Sequence, residues 1–212
     1  MSQNLFFLIF FLFSFTSLNA QTAEEYYKAG EQKQVKGDYE GAIIYFSKAI
    51  EMIPNSAKAY YQRGISMDAL GHYNEAISDF SKIIEIEKDK AVEAYHSRGI
   101  SYKNFTKYTE AIRDFDKAIA LNINNSLAYY YRGVCLDNIG RYDEALQDFN
   151  KAIEMTPRQA HYYYNRGNTL NHLRNYKEAI NDYKTALIID PNLDEAKSGL
   201  KEAQQKLNKK SN

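Results

Sequence analysis

A single cysteine, Cys135, stands among 212 residues, and tryptophan is absent. One thiol excludes an internal disulfide and any zinc site built from cysteines. With no base suggested nearby to activate it, Cys135 reads as a small apolar residue on a packed helix. Three prolines and ten glycines are too few for a loop-rich or disordered chain, so the composition leans to helix. Neither sign of charge prevails, with 27 Lys and Arg against 27 Asp and Glu. That balance excludes the basic surplus of a general nucleic-acid binder. It also excludes an acidic tail or a polybasic membrane patch. No glycine-rich phosphate loop occurs. The four histidines, His72, His96, His161 and His172, form no metal-ligand motif. The expectation is no catalytic, cofactor-binding or metal-binding residue, and no enzyme.

One long apolar run is present. LFFLIFFLFSFTSL, Leu5 to Leu18, holds 14 residues without a charge. A membrane span needs roughly 20 apolar residues, whereas the core of a secretory signal peptide is shorter. Residues 1–20 therefore read as a signal peptide, cut after Ala20. The expected location is secreted, periplasmic or lumenal, with no membrane span after cleavage. The alternative is a chain anchored in the membrane through the uncleaved segment.

The remainder repeats. Gly30, Gly64, Gly99, Gly133 and Gly167 are separated by 34, 35, 34 and 34 residues. Nine residues beyond each lies Tyr39, Tyr73, Tyr108, Tyr142 or Tyr176. Three further on lies Ala42, Ala76, Ala111, Ala145 or Ala179. Pro54, Pro157 and Pro191 share one phase of the same period. The units are 23–56, 57–91, 92–125, 126–159 and 160–193. Each reads as two helices, as in Ser126–Ile139 and Tyr142–Met155. Gly140 between them suits the positive φ that ends a helix. Thr106 and Arg174 hold that phase in two units, so those turns are expected to close differently. Proline stops the second helix, because it cannot continue the hydrogen-bond ladder. No unit buries its apolar face alone, so units must stack. Ala196, Leu200, Ala203 and Leu207 give 194–208 the pattern of a capping helix.

The phase of Tyr129, Gly133, Tyr142, Ala145, Phe149, Ala152 and Pro157 resembles the tetratricopeptide repeat, over Ala23 to Leu193. Tyrosine fills the first aromatic position, where that family often has tryptophan. The resemblance implies an all-α fold, a right-handed α-solenoid of antiparallel helix pairs. It also implies a concave groove, built mainly from first helices, that takes a peptide or protein partner. The groove candidates are Tyr27, Tyr61, His96, Tyr130 and Tyr164, then Asn168, and one turn on Asp68, Lys103, Asp137 and Asn171. Rings offer contact area at low entropic cost, and amides can bond an extended backbone. Packing between adjacent helices is the alternative for these tyrosines. Some family members grip a terminal carboxylate with lysine or arginine and asparagine. Here only Asn165 and Asn168 match, so no such clamp is expected. Glu24, Glu31, Asp68, Glu93 and Asp137 outnumber Lys58 and Lys103, which favours a neutral or mildly basic segment as partner.

A second in-phase set pairs Arg63, Arg98, Arg132 and Arg166 with Asp79, Asp114, Asp148 and Asp182, sixteen residues later. The first unit lacks both members, having Ala29 and Tyr45. Their joint absence predicts a bridge within each unit rather than to the preceding one. The functional expectation is a protein-interaction scaffold, with a self-associating homo-oligomer as the alternative.

Overall fold

The computed structural model describes residues 21–88 and 91–211. The apolar segment read as a signal lies outside them. Among the described residues there are eleven helices and no strand. They are α1 (21–35), α2 (Tyr39–Met52), α3 (Ala57–Ala69), α4 (Tyr73–Glu87), α5 (Val92–Asn104), α6 (Tyr108–Leu121), α7 (Ser126–Asn138), α8 (Tyr142–Met155), α9 (Ala160–His172), α10 (Tyr176–Ile189) and α11 (Asp194–Ser211). Consecutive helices pair as the repeat requires, and the fold class is the all-α solenoid of helix pairs. Two compact units divide the chain, Met1–Ser101 and Tyr102–Asn212.

One contact recurs in four of the helix pairs and sets their closeness. In the first unit the ring of Phe46 sits against Gly30 and that of Phe80 against Gly64. In the second unit Phe149 sits against Gly133 and Tyr183 against Gly167. A Cβ on Gly64 would lie 2.9 Å from Phe80, so the glycine is required by close approach. Phe46, Phe80, Phe115, Phe149 and Tyr183 are all fully buried.

The turns between paired helices correct the sequence reading. Gly37, Gly71 and Gly140 have φ of 75°, 78° and 78°, and Thr106 and Arg174 have 58° and 62°. The hydrogen bonds also match. Gly140 N donates to Asp137 O and Arg141 N to Leu136 O. Thr106 N donates to Lys103 O and Lys107 N to Tyr102 O, and Arg174 and Asn175 repeat the pattern. The geometry of the helix end dictates the left-handed residue, whatever side chain is there. Proline is similarly dispensable at the other end. α6 stops at Leu121, in phase with α2 and α8, although Ile123 stands where Pro54 and Pro157 do.

The bridges of Arg63, Arg132 and Arg166 form within their repeats, and these arginines do more than was expected. Arg63 Nε and Nη2 donate to Asp79 at 2.8 and 2.7 Å. Arg132 engages Asp148, and Arg166 engages Asp182, in the same two-pronged way at 2.7 Å. The third nitrogen, Nη1, reaches back to the preceding unit. It donates to Ser47 from Arg63, Ser81 from Arg98, Asp116 from Arg132 and Asn150 from Arg166. Arg63, Arg132 and Arg166 each thus join two successive 34-residue repeats at once. The backward acceptors share one phase but not one residue type, so no repeated letter marks them.

α11 carries the first-helix pattern forward. Ala196 and Ala203 are fully buried, in phase with Ala128 and Cys135. Lys201 takes the marker-glycine position and is exposed. The helix continues to Ser211, past the expected end at 208.

Candidate functional site

In the second unit, α7, α9 and α11 are successive first helices, and their equivalent positions border one cleft of about 680 Å³. Asp137 comes from α7. Tyr164, Asn168, Asn171 and His172 come from α9. Glu195, Ser198, Glu202 and Lys206 come from α11. Ser198, Glu202 and Lys206 lie 34 residues beyond Tyr164, Asn168 and His172, so the period itself builds the wall. Gly199 lets α11 lie close, since a Cβ there would meet the Tyr183 ring at 2.8 Å.

The floor carries a local departure from the repeat. Tyr183 stands where the other units have phenylalanine, and its hydroxyl donates to Asn168 Oδ1 at 2.8 Å. Burial pushes that hydroxyl well above the ordinary tyrosine range. Position 168 is isoleucine or valine in the three preceding units. The asparagine and the tyrosine hydroxyl therefore arrive together. With Oδ1 engaged, the Asn168 amide nitrogen remains a donor. Asp137 Oδ1 accepts from the Thr169 hydroxyl at 2.7 Å and faces His172 Nδ1 at 3.3 Å. Asn171 lines the cleft, and its buried Oδ1 has no hydrogen-bond partner among the described residues. The Lys206 ammonium, at 2.6 Å, holds the Glu202 carboxyl below its usual range.

In the first unit, Tyr27, Lys58, Tyr61, Gln62, Ile83 and Glu93 line a smaller hollow of about 250 Å³. The Lys58 ammonium lies 4.4 Å from the Tyr27 ring centroid and pairs with Glu24. Tyr61 meets Phe80 edge-on at 5.8 Å, and its hydroxyl accepts from Ser97 at 3.2 Å.

Four of the ten groove candidates, Asp137, Tyr164, Asn168 and Asn171, thus share one cleft, and Tyr27 and Tyr61 share the hollow. Tyr130 is engaged in packing. It stacks on Tyr162 at 4.6 Å and accepts from Asn165 Nδ2 at 2.9 Å, and burial raises its hydroxyl to about 12. Lys103 lies 5.4 Å from the Tyr131 ring centroid. His96 is largely buried and its imidazole pKa is lowered for that reason. These two and Asp68 are outside both linings. The α11 wall was not foreseen. Its signal was the 34-residue phase, which extends past the last tyrosine-marked unit.

Among the described residues no cluster of three or more candidate ligands could hold a metal ion. Nor is any described helix long and apolar enough to cross a membrane.

Models of the tetratricopeptide repeat match residues 126–158 and 160–193, 45–78, and 26–56 and 92–125. Comparison with curated protein sequences gives no match. Among solved structures, the chain is similar to the MamA protein, at 28% identity and TM-score 0.72 over 81% of this chain and 93% of that one. It is similar to YrrB, described as a TPR protein with an unusual peptide-binding site, at 27% identity and TM-score 0.67 over 83% and 90%. MamA of Desulfovibrio magneticus RS-1 shares the fold at 20% identity and TM-score 0.75, over 82% and 97%.

Proposed function

The chain belongs to the tetratricopeptide repeat family, and from that premise we propose that it is a non-catalytic scaffold that binds an extended peptide segment of a protein partner. The observation that carries the reading is the cleft between α7, α9 and α11. Groove positions of three successive first helices meet there, and they present one ring, two amides and carboxylates to a space of about 680 Å³. That volume falls within the range of ligand pockets, roughly 300–1,000 Å³. The similarity to YrrB, whose description names a peptide-binding site, supports the same reading. The exported location read from Leu5–Leu18 is part of the proposal. Mass spectrometry of the exported chain would show Gln21 as its first residue, and an intact Met1 would overturn it.

Panning a displayed random-peptide library on the chain from Gln21 onward tests the binding reading. The expected outcome is enrichment of a restricted set of peptides whose capture falls about tenfold with Tyr164→Ala, in a variant that melts as the parent does. Tyr164 is the apt probe because it lines the cleft, whereas Tyr61 and Tyr130 are committed to neighbouring helices. Failure to enrich any peptide would overturn the scaffold reading. Enrichment indifferent to Tyr164 would move the surface elsewhere.

A further inference from the structure

We infer that Tyr183 is a positioning residue: its hydroxyl turns the Asn168 amide so that the N–H takes a main-chain carbonyl oxygen of the bound peptide. The inference deepens the scaffold reading and rests on it. Three observations carry it.

The first is a paired departure from the repeat. Phe46, Phe80, Phe115 and Phe149 hold the phase of Tyr183, and Ile65, Ile100 and Val134 hold that of Asn168 in the three preceding repeats. The two polar replacements meet, with the Tyr183 hydroxyl donating to Asn168 Oδ1 at 2.8 Å. Packing does not call for them. A Cβ on Gly167 would lie 2.9 Å from the Tyr183 ring, as one on Gly64 would from the Phe80 ring. The hydroxyl adds nothing to that approach, and an apolar pair of the same shape is nearly neutral in stability.

The second is room made for the hydroxyl. Gln62, Ser97, Tyr131 and Asn165 hold one phase of the first helices, and α11 has Gly199 there. A Cβ at 199 would meet the Tyr183 ring at 2.8 Å and its hydroxyl at 3.2 Å. Glycine inside a helix weakens it, so α11 gives up helix stability where the hydroxyl needs space.

The third is the group left facing the cleft. Oδ1 is engaged, so Nδ2 is what Asn168 offers to the cleft it lines. Tyr164 stands one turn earlier on the same face of α9 and lines the same cleft. A ring and a held N–H side by side match a side chain and a carbonyl of an extended segment. Asp137 and Glu202 line the cleft too, and beside burial their charges help to hold the Tyr183 hydroxyl protonated. Carboxylates repel an anionic acceptor. The acceptor is therefore a neutral carbonyl within the segment, not a terminal carboxylate.

The test uses the chain from Gln21 onward and a peptide enriched by the library panning, made with an amidated C-terminus. Tyr183→Phe restores the residue of the other repeats and should melt close to the parent. It should weaken the peptide about fivefold, and Asn168→Val about tenfold, the size of one hydrogen bond. Because Tyr183 acts through Asn168, Tyr183→Phe should cost nothing further in the Asn168→Val background. That double variant has the pair already present as Val134 and Phe149, so it keeps the fold. Peptide carbonyls would also be replaced singly by thiocarbonyls, which are weaker acceptors. One position should then weaken binding to the parent and not to Asn168→Val. Unchanged affinity in Tyr183→Phe, or losses that simply add, overturns the positioning role. Binding lost on amidation overturns the carbonyl. Enriched peptides that ignore both substitutions, or that shift no cleft signal by NMR, overturn the inference and leave a scaffold in place. Failure to enrich any peptide overturns both.

Discussion

A threonine and an arginine hold backbone conformations that the repeat otherwise gives to glycine. Thr106 at φ 58° and Arg174 at 62° are exposed and close the same two hydrogen bonds as Gly140. A left-handed L-residue costs about 1–2 kcal/mol. Glycine avoids that cost but forfeits about 0.5–1 kcal/mol of chain entropy. Strain outweighs entropy, so Thr106→Gly and Arg174→Gly should each stabilise by about 0.5–1 kcal/mol, read as a raised denaturant midpoint at constant slope. A lowered midpoint would show that the side chain contributes more than the backbone loses. His96 gives a second residue-scale outcome. Burial disfavours its imidazolium, and the Glu93 charge opposes this only in part. Its folded pKa is therefore below the ordinary value of about 6.5. The folded state binds less proton than the unfolded one, so stability is full above pH 6.5 and is lost as pH falls below it. His72, His161 and His172 are exposed. The melting temperature should drop between pH 7.5 and 5.5, and His96→Gln should remove most of the drop. A slope unchanged by that substitution would assign it to other groups.

At the scale of elements, the arginine bridges show which interactions fasten the hairpins. Asp148 is buried with its side chain 6% exposed, while Asp116, the other acceptor of Arg132, is 53% exposed. The exposed arm is worth about 0.2–1 kcal/mol. Removing Arg132 instead strands a buried carboxylate, at about 3 kcal/mol, the low end because Arg132 keeps some contact with water. Arg132→Met and Asp148→Ala together should therefore cost about 1–3 kcal/mol less than their sum. Strict additivity in urea titrations would refute the coupling. Burial pushes the Asp148 carboxyl up while Arg132 pulls it down. Without Arg132 burial is unopposed, and the folded state holds the proton more tightly than the unfolded one. The Arg132→Met loss should then shrink as pH falls from 7.5 toward 4.5. The same elements show what the letters could carry. Gly133 against Phe149, and Arg132 against Asp148, recur because each contact admits few residue types, so periodicity exposed the fold and the bridges. Ser47, Asp116 and Asn150 serve one purpose with three chemistries, and repetition could not reveal them. Thr106 misled because glycine's preference describes the usual occupant, not the geometry. Half of the cleft stayed hidden because α11 keeps the period mainly through two alanines, a faint signal beside five tyrosines.

For the whole chain, the decisive quantity is its charge balance. Formal net charge is zero at pH 7 and the isoelectric point is about 6.9. Molecules without net charge do not repel one another, and association is favoured near that pH. Apolar side chains that could meet are present, since Val35 is 89% and Ile188 is 80% exposed. Two kinds of association are then distinguishable. Non-specific contact depends on missing repulsion, so it should peak near pH 7, and it should weaken by pH 9, where the net charge is negative. A designed assembly through repeat faces would keep a fixed size across that range, because packing of apolar faces does not titrate. The scaffold reading predicts the first behaviour. Light scattering of the chain from Gln21 onward should give a monomer mass at pH 9 and weak, concentration-dependent attraction at pH 7. Val35→Lys and Ile188→Lys should abolish the attraction by adding positive charge where the apolar groups stood. A dimer or larger species of constant mass at both pH values, unaffected by those substitutions, would overturn that expectation and favour the self-assembling alternative.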